Sequence, residues 1–405
     1  MNNSRAAEPT TTTFGGLSFG AKVLLIVLTV ISPVLLLGLA EVGIRLSGVD
    51  TELVPDENVE IAIPAWLLAD DNFAAGLQPG VKAAQVAWLR NFTEARYIWT
   101  KLKPNVEVDA LNPYNEFELA KGVTFHFSSN SDGFRGREFG PKRPGVIRVV
   151  CIGDSSTFGW GVDDDYTYPH LLEKRLNRPG GPEVEVFNLG IPGFTSRHGL
   201  GVLRHYAFDL DADYFVFSFG VNDAREVLRP VHEVLAQDEG WRGALRFTAL
   251  RFKTYQLLRK AAFSLSTRTS SDTGTPKLVP SVSAQQYAAN LRTMVRIARA
   301  QGARPVLLAV CSPESIVSQM QDVAAAARVP VVRALDRLLG RLEDLKAHRL
   351  YPDEVRYYEN IYGVDAMQKK WQLYVTTDGC HPNRAGMSLI ADALTDVIGS
   401  GARTD

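Results

Sequence analysis

From Val146 onward the chain alternates short, almost unbroken apolar runs with longer segments whose apolar residues recur at helical spacing. The runs at 146–152, 183–188, 213–219, 304–311 and 329–334 read as strands buried on both faces. The intervening patterns at 167–177, 197–208, 284–301, 315–327 and 336–346, and a last one at 385–398, read as helices. Strands of this kind separated by helices imply an α/β fold, a mainly parallel sheet with helices on both faces. Residues 45–145 are less regular. They carry Trp66, Trp88 and Trp99, an alternating piece Val123-Thr124-Phe125-His126-Phe127, and an Asp132-Gly133 turn before Phe134-Arg135-Gly136. They read as an ordered stalk or pre-domain packing on a main domain at 146–399.

The N-terminal pattern is different. From Val23 to Ala40 the sequence VLLIVLTVISPVLLLGLA contains no charge, enough for a helix to cross a bilayer core, and Pro33 need not break it. Arg5 and Lys22 precede the run, whereas Asp50, Glu52, Asp56, Glu57 and Glu60 follow it with only Arg45 nearby. The positive-inside rule then predicts a disordered cytoplasmic leader at 1–21, a single transmembrane helix at 22–44, and the main domain on the outer, periplasmic side of the inner membrane. A signal peptide cut after Ala40 is the competing reading. The apolar run exceeds the usual core of a signal, which favours the retained anchor.

The alternation in the main domain is interrupted by an insertion at 224–283. Its later part, 264–274, is polar and flexible by composition. The stretch from Trp241 to Lys260 has six basic residues and no acidic one. At helical spacing Arg242, Arg246, Lys253 and Lys260 share a face, with Phe247, Leu250, Leu257 and Leu258 on another. It reads as a solvated surface helix, or as a lid or surface element meeting anionic head groups or an acidic polymer.

Overall charge narrows the function classes. The 405-residue chain has a formal net charge of −1, so nothing in its electrostatics favours nucleic acid. With 3 cysteines no disulfide framework is expected. Cys151 and Cys311, in or at the end of apolar runs, read as small buried hydrophobes.

The candidate chemistry lies where strand patterns end. Gly153-Asp154-Ser155 follows the first strand and precedes a helix, a position that offers a serine hydroxyl beside unpaired backbone N–H groups. Asn188-Leu189-Gly190-Ile191-Pro192-Gly193 follows the second strand, and its glycines allow close backbone approach to a substrate oxygen. Gly220-Val221-Asn222-Asp223 follows the third, where an Asn amide can face an oxyanion. Near the C-terminus, Asp378-Gly379-Cys380-His381-Pro382 lets an Asp fold back on the Nδ1 of a His and leave Nε2 for the serine. Asp223 is a rival partner for His381. A Cys380–His381 nucleophile pair is disfavoured because adjacent side chains point to opposite sides, and no His/Cys cluster has metal-ligand spacing. Trp160 reads as packing against the serine loop, with a pocket-lining role as the alternative.

These four blocks resemble, in letters, order and strand placement, the signature of the SGNH hydrolases, also called the GDSL esterase/lipase family, over residues 146–399. The resemblance implies a three-layer α/β/α sandwich with a flavodoxin-like sheet. It implies Ser155 as nucleophile, His381 and Asp378 completing a triad, and Gly193 and Asn222 joining the serine N–H in an oxyanion hole; the block spacing favours Gly193 over Gly190. Ser156 stands where the family name has leucine, a position without chemistry. The implied function is a cofactor-free, metal-free serine esterase acting on an O-acyl or O-acetyl group of a carbohydrate or on a lipid ester. An O-acyltransferase using the same triad on an exported polysaccharide is the alternative, and a catalytically silent carbohydrate-binding scaffold the second.

Overall fold

A computed structural model describes residues 18–51, 88, 90–112, 115–227, 229–266 and 278–401. Trp66, most of the expected leader and most of the polar loop at 264–274 lie outside the described residues, as does much of the first half of the stalk. The chain divides into two units. One comprises residues 1–53 and 245–273; the other comprises 54–244 and 274–405.

The larger unit is organised by five parallel strands: β1 (Ile147–Gly153), β2 (Val184–Gly190), β3 (Tyr214–Ser218), β4 (Arg304–Ala309) and β5 (Val331–Arg333). Their order across the sheet is β2-β1-β3-β4-β5, the flavodoxin-like arrangement, with the reversal of winding between β1 and β3. The strands read as apolar runs because both faces are covered. Val150, Ile152, Phe215, Phe217 and Leu307 pack with the helices Ser196–His205, Ala284–Ala300 and Glu314–Ala327. Val149, Cys151, Val216 and Leu308 alternate to the other face, against Leu172 of the helix Tyr168–Leu176 and Met387, Ile390 and Leu394 of the helix Arg384–Gly401. Two helix layers around a parallel sheet make the three-layer α/β/α sandwich.

The pattern at 336–346 forms two short helices, Ala334–Gly340 and Leu342–Lys346. The break lets Leu338 and Leu345 both enter a third apolar cluster with Tyr358, Tyr362 and Leu373. That cluster also holds the helix Pro352–Tyr362, which the sequence reading left unassigned. The insertion departs further from expectation. Its basic stretch is two helices, Gly240–Ala249 and Lys253–Ser266, so Arg242 and Arg246 share no single helical face with Lys253 and Lys260. The second helix starts where the Lys253 and Thr254 N–H groups meet the Glu41 carboxylate at 2.9 Å each, a partner too distant in sequence for local spacing to reveal.

Upstream of β1, two antiparallel pairs form: Phe92–Ala95 with Trp99–Leu102, and Glu107–Leu111 with Thr124–Ser128. Their side chains Phe92, Leu102, Phe125 and Phe127 share a core with β1 residues Val150 and Ile152. Buried polar groups tie them to the turn after β1. The fully buried Arg135 donates from Nη1 to the carbonyls of Phe158 (2.9 Å) and Gly159 (2.7 Å), from Nη2 to those of His126 (2.9 Å) and Val162 (2.7 Å), and from Nε to Asp164 at 2.6 Å. Asp164 also accepts from the Ser128 N–H at 2.9 Å. One buried guanidinium thus satisfies carbonyls on both sides of the junction.

In the smaller unit, Phe19–Ser47 is a continuous helical stretch of 29 residues with a mean hydropathy of 2.8 in its most apolar window, long and apolar enough to cross a membrane. It passes Pro33 through a wider turn at Val27–Ile31, where the Thr29 and Ser32 hydroxyls donate to the Leu25 and Leu28 carbonyls at 2.5 and 2.8 Å.

Removing the Arg135 guanidinium leaves a cluster of buried carbonyls without donors. Arg135→Met is expected to lower the unfolding free energy by about 3–5 kcal/mol. Lysine is not expected to restore it, because one ammonium cannot reproduce the planar fork. Urea denaturation of the two variants measures this, and a loss below about 1 kcal/mol for Arg135→Met contradicts the assignment.

Candidate active site

The reversal of winding between β1 and β3 opens the sheet at the carboxyl ends of those strands, where α/β folds bind ligands. Ser155 lies one residue beyond the end of β1, as the first residue of the short helix Ser155–Phe158. Asp154 caps this helix, its carboxylate accepting from the Ser156 N–H at 2.9 Å. Burial pushes the Asp154 carboxyl up to about 6, against the lowering effect of that hydrogen bond. The neighbouring strand presses close. A Cβ on Gly190 at the end of β2 would lie 2.3 Å from the Phe158 nitrogen, so only glycine fits there.

The loop carrying Asp378 and His381 is folded onto this turn from the far end of the chain. Its base is pinned by an antiparallel bridge between Thr376 and Pro382 and by the Thr377 N–H donating to the His381 carbonyl at 2.8 Å. Inside the loop, Asp378 Oδ1 accepts from the N–H groups of Cys380 and His381 at 3.0 and 2.8 Å. Its Oδ2 lies 2.6 Å from His381 Nδ1, and His381 Nε2 lies 2.8 Å from Ser155 Oγ. With a carboxylate at Nδ1, the proton belongs on that nitrogen and Nε2 is left to accept from the serine hydroxyl.

The electrostatics fit this tautomer. Burial disfavours the charged imidazolium, but the facing Asp378 carboxylate outweighs it and holds the His381 pKa above its ordinary value. Burial likewise opposes the Asp378 charge. His381 and the two loop N–H groups prevail and hold that carboxyl below the usual range.

The remaining expected residues sit around the same sheet edge. Gly193 has a φ of +80° in the turn after β2, with open space where a Cβ would be. The next residue but one, Thr195, donates its N–H to His198 Nδ1 at 3.1 Å, and Phe194 stacks on the His198 ring at 4.7 Å. Burial pushes His198 down to about 3, so it stays a neutral acceptor and holds the turn at any ordinary pH. Asn222 donates its amide to the Phe194 carbonyl at 3.0 Å, which brings the second and third blocks together. Asp223 does not approach His381. Its buried carboxylate accepts from the Ser196 N–H at 3.0 and 3.1 Å and anchors the helix that follows the Gly193 turn.

The sequence reading missed two supports. Cys311 and Cys380 form a disulfide, correcting the expectations that Cys311 is a small buried hydrophobe and that no disulfide framework forms. It joins the loop of Asp378 and His381 to the segment just after β4, and nothing in a 69-residue separation with an odd cysteine count signals it. The upstream region supplies the other. Asn115 donates to the Thr377 carbonyl at 2.5 Å and to the Tyr362 hydroxyl at 3.1 Å, while Tyr362 donates to Glu118 at 2.7 Å. Burial pushes the Glu118 carboxyl up to about 7. Trp160 is buried here and donates its indole N–H to Asn112 at 3.0 Å, so it packs beneath the loop.

The chain belongs to the GDSL-like lipase/acylhydrolase family, whose model matches residues 151–389, and it is a serine hydrolase. Among curated proteins none matches in sequence. Solved structures similar to it include TesA, with 20% identity over 62% of this chain and 98% of that one and a TM-score of 0.37. A lipase/acylhydrolase from Enterococcus faecalis has 18% identity over 63% and 96% of the two chains, at a TM-score of 0.37. An acetylxylan esterase from Geobacillus stearothermophilus, Axe2, has 15% identity over 62% and 94%, at a TM-score of 0.36.

If the disulfide holds the loop, Cys311→Ser is expected to cost about 2–4 kcal/mol of stability and to speed amide exchange at 376–383 above that of β1. Exchange in the loop equal to that of the parent protein contradicts the role.

Proposed function

We propose that the protein is a membrane-anchored serine esterase that cleaves an O-acyl ester of a carbohydrate or a lipid through an acyl-Ser155 intermediate. The observation that carries it is the unbroken chain from Asp378 through His381 to Ser155 at 2.6 and 2.8 Å. Ser155 Oγ attacks the ester carbonyl while its proton passes to His381 Nε2, and Asp378 stabilises the imidazolium without taking the proton. The negative oxygen of the tetrahedral intermediate is held by the N–H groups of Ser155 and Gly193 and by the amide of Asn222. One hydrogen of that amide is committed to Phe194, and this fixes the direction of the other. His381 then protonates the leaving alcohol, and a second hydroxyl compound, water in hydrolysis, repeats the sequence in reverse to free the acid and Ser155.

Two features support a site of action outside the cytoplasm. The apolar stretch Phe19–Ser47 suits a single span. The Cys311–Cys380 disulfide suits an oxidising compartment such as the periplasm.

The test is kinetic. With a short-chain aryl ester, Ser155→Ala is expected to lower kcat by about 10⁴-fold or more; turnover within tenfold of the parent enzyme overturns the nucleophile. The pH profile tests the base. His381 must be neutral to accept a proton, and its pKa is held above 6.5, so kcat/KM is expected to fall as pH drops through an inflection above 6.5. Asp378→Asn removes the charge that raises it and leaves burial, which lowers it; the inflection moves to lower pH as kcat falls. An inflection unmoved by Asp378→Asn contradicts the pairing. Offering a glycan hydroxyl as acceptor and measuring acylated glycan against free acid separates transfer from hydrolysis.

A further inference from the structure

The smaller unit contains a contact that the esterase chemistry leaves unused. Glu41 is the first charged residue after the apolar run that ends at Ala40. If that run is a retained span, the reading on which this inference rests, Glu41 marks the boundary between hydrocarbon and head groups, because an acidic side chain is costly deeper in. At that level its carboxylate pairs with Arg45 at 2.6 Å and accepts from the N–H groups of Lys253 and Thr254 at 2.9 Å each and from the Thr254 hydroxyl at 2.9 Å. Arg45 in turn donates to the Arg251 carbonyl at 2.9 Å. The turn Leu250–Phe252, between the helices ending at Ala249 and starting at Lys253, is therefore held beside the end of the span. Further along, Thr51 donates to Gln256 at 2.7 Å and Lys260 lies 3.5 Å from Asp50, so the second helix runs outward alongside the exit from the membrane.

We infer that this helical hairpin stands on the bilayer with its Arg251-Phe252-Lys253 tip in the head-group layer of the leaflet where the span emerges, and that it takes anionic phospholipid. Phe252 at the tip is 51% exposed, an apolar ring that can bury its surface in lipid. The flanking charges are uniformly basic from Trp241 to Lys260, complementary to an anionic surface. The Glu41 contact fixes the depth of the tip, and the basic residues select the lipid.

The full chain reconstituted into phosphatidylcholine vesicles, with or without phosphatidylglycerol, tests this. Carbonate washing first shows whether the chain stays in the bilayer; a chain washed off overturns the anchor and the tip together. For a retained chain carrying an environment-sensitive dye on Phe252→Cys, spin-labelled lipid is expected to quench several-fold more than aqueous iodide. Phosphatidylglycerol is expected to increase the lipid quenching at least twofold, and Arg251→Glu with Lys253→Glu to abolish that increase. In the unlabelled, unsubstituted chain, phosphatidylglycerol is expected to slow amide exchange at 248–256 at least threefold. Iodide quenching that exceeds lipid quenching, exchange indifferent to phosphatidylglycerol, or protection by a soluble polyanion in its place overturns the proposal while leaving the anchor intact.

Discussion

The site depends on holding one small loop against a strand end that lies 226 residues earlier in the chain. A histidine must sit within hydrogen-bond distance of a serine with its ring turned the right way, and a displacement of about 1 Å is enough to lose much of the benefit. Four restraints converge on that loop. Asp378 folds the loop on itself and fixes the imidazole tautomer. The Thr376–Pro382 bridge closes its base, the disulfide ties its tip to the segment after β4, and Asn115 holds the Thr377 carbonyl. The last three act on backbone or on a bond one residue from His381. The two ring nitrogens of the imidazole face Asp378 and Ser155, the contacts that its proposed chemistry uses.

The region upstream of β1 belongs to this same mechanical problem. Asp163 and Asp164, just beyond the Ser155 turn, are bound by the His126 and Ser128 N–H groups of an upstream strand. Asp163 also pairs with Arg384 at 2.7 Å, at the start of the C-terminal helix. Arg135 fills the space between with donors. Ser155 is thus fixed through the sheet beneath it and through buried charges beside it, and the two sets of contacts are formed by segments that meet only in the folded state.

Patterning made the sheet legible because five strands buried on both faces leave unbroken apolar runs that helices must separate. That Ser155, Asp378 and His381 meet, and that Asn222 reaches the turn after Gly193, could be expected from sequence because each stands at a strand end or beside a turn with a chemical reason for its residue type. What escaped has a common cause. Strands of four residues, such as Phe92–Ala95, carry too few positions for alternation to register. The disulfide, the Asn115 support and the Glu41 cap join residues separated by 69, 262 and 212 positions. Their partners are ordinary in local context, and only the fold makes them neighbours. The Arg242 to Lys260 face failed for the same reason: a distant carboxylate starts a second helix where the local pattern reads one.

Covalent labelling tests the central claim most directly, that the fold delivers His381 to Ser155 and so makes one serine among many a nucleophile. The full chain is treated with a fluorophosphonate, digested, and its peptides are assigned by mass spectrometry. The account predicts a phosphonyl adduct on Ser155 and on no other serine, formed at least about a hundredfold more slowly in His381→Ala. An unmodified Ser155, or an adduct that forms as fast without His381, contradicts it.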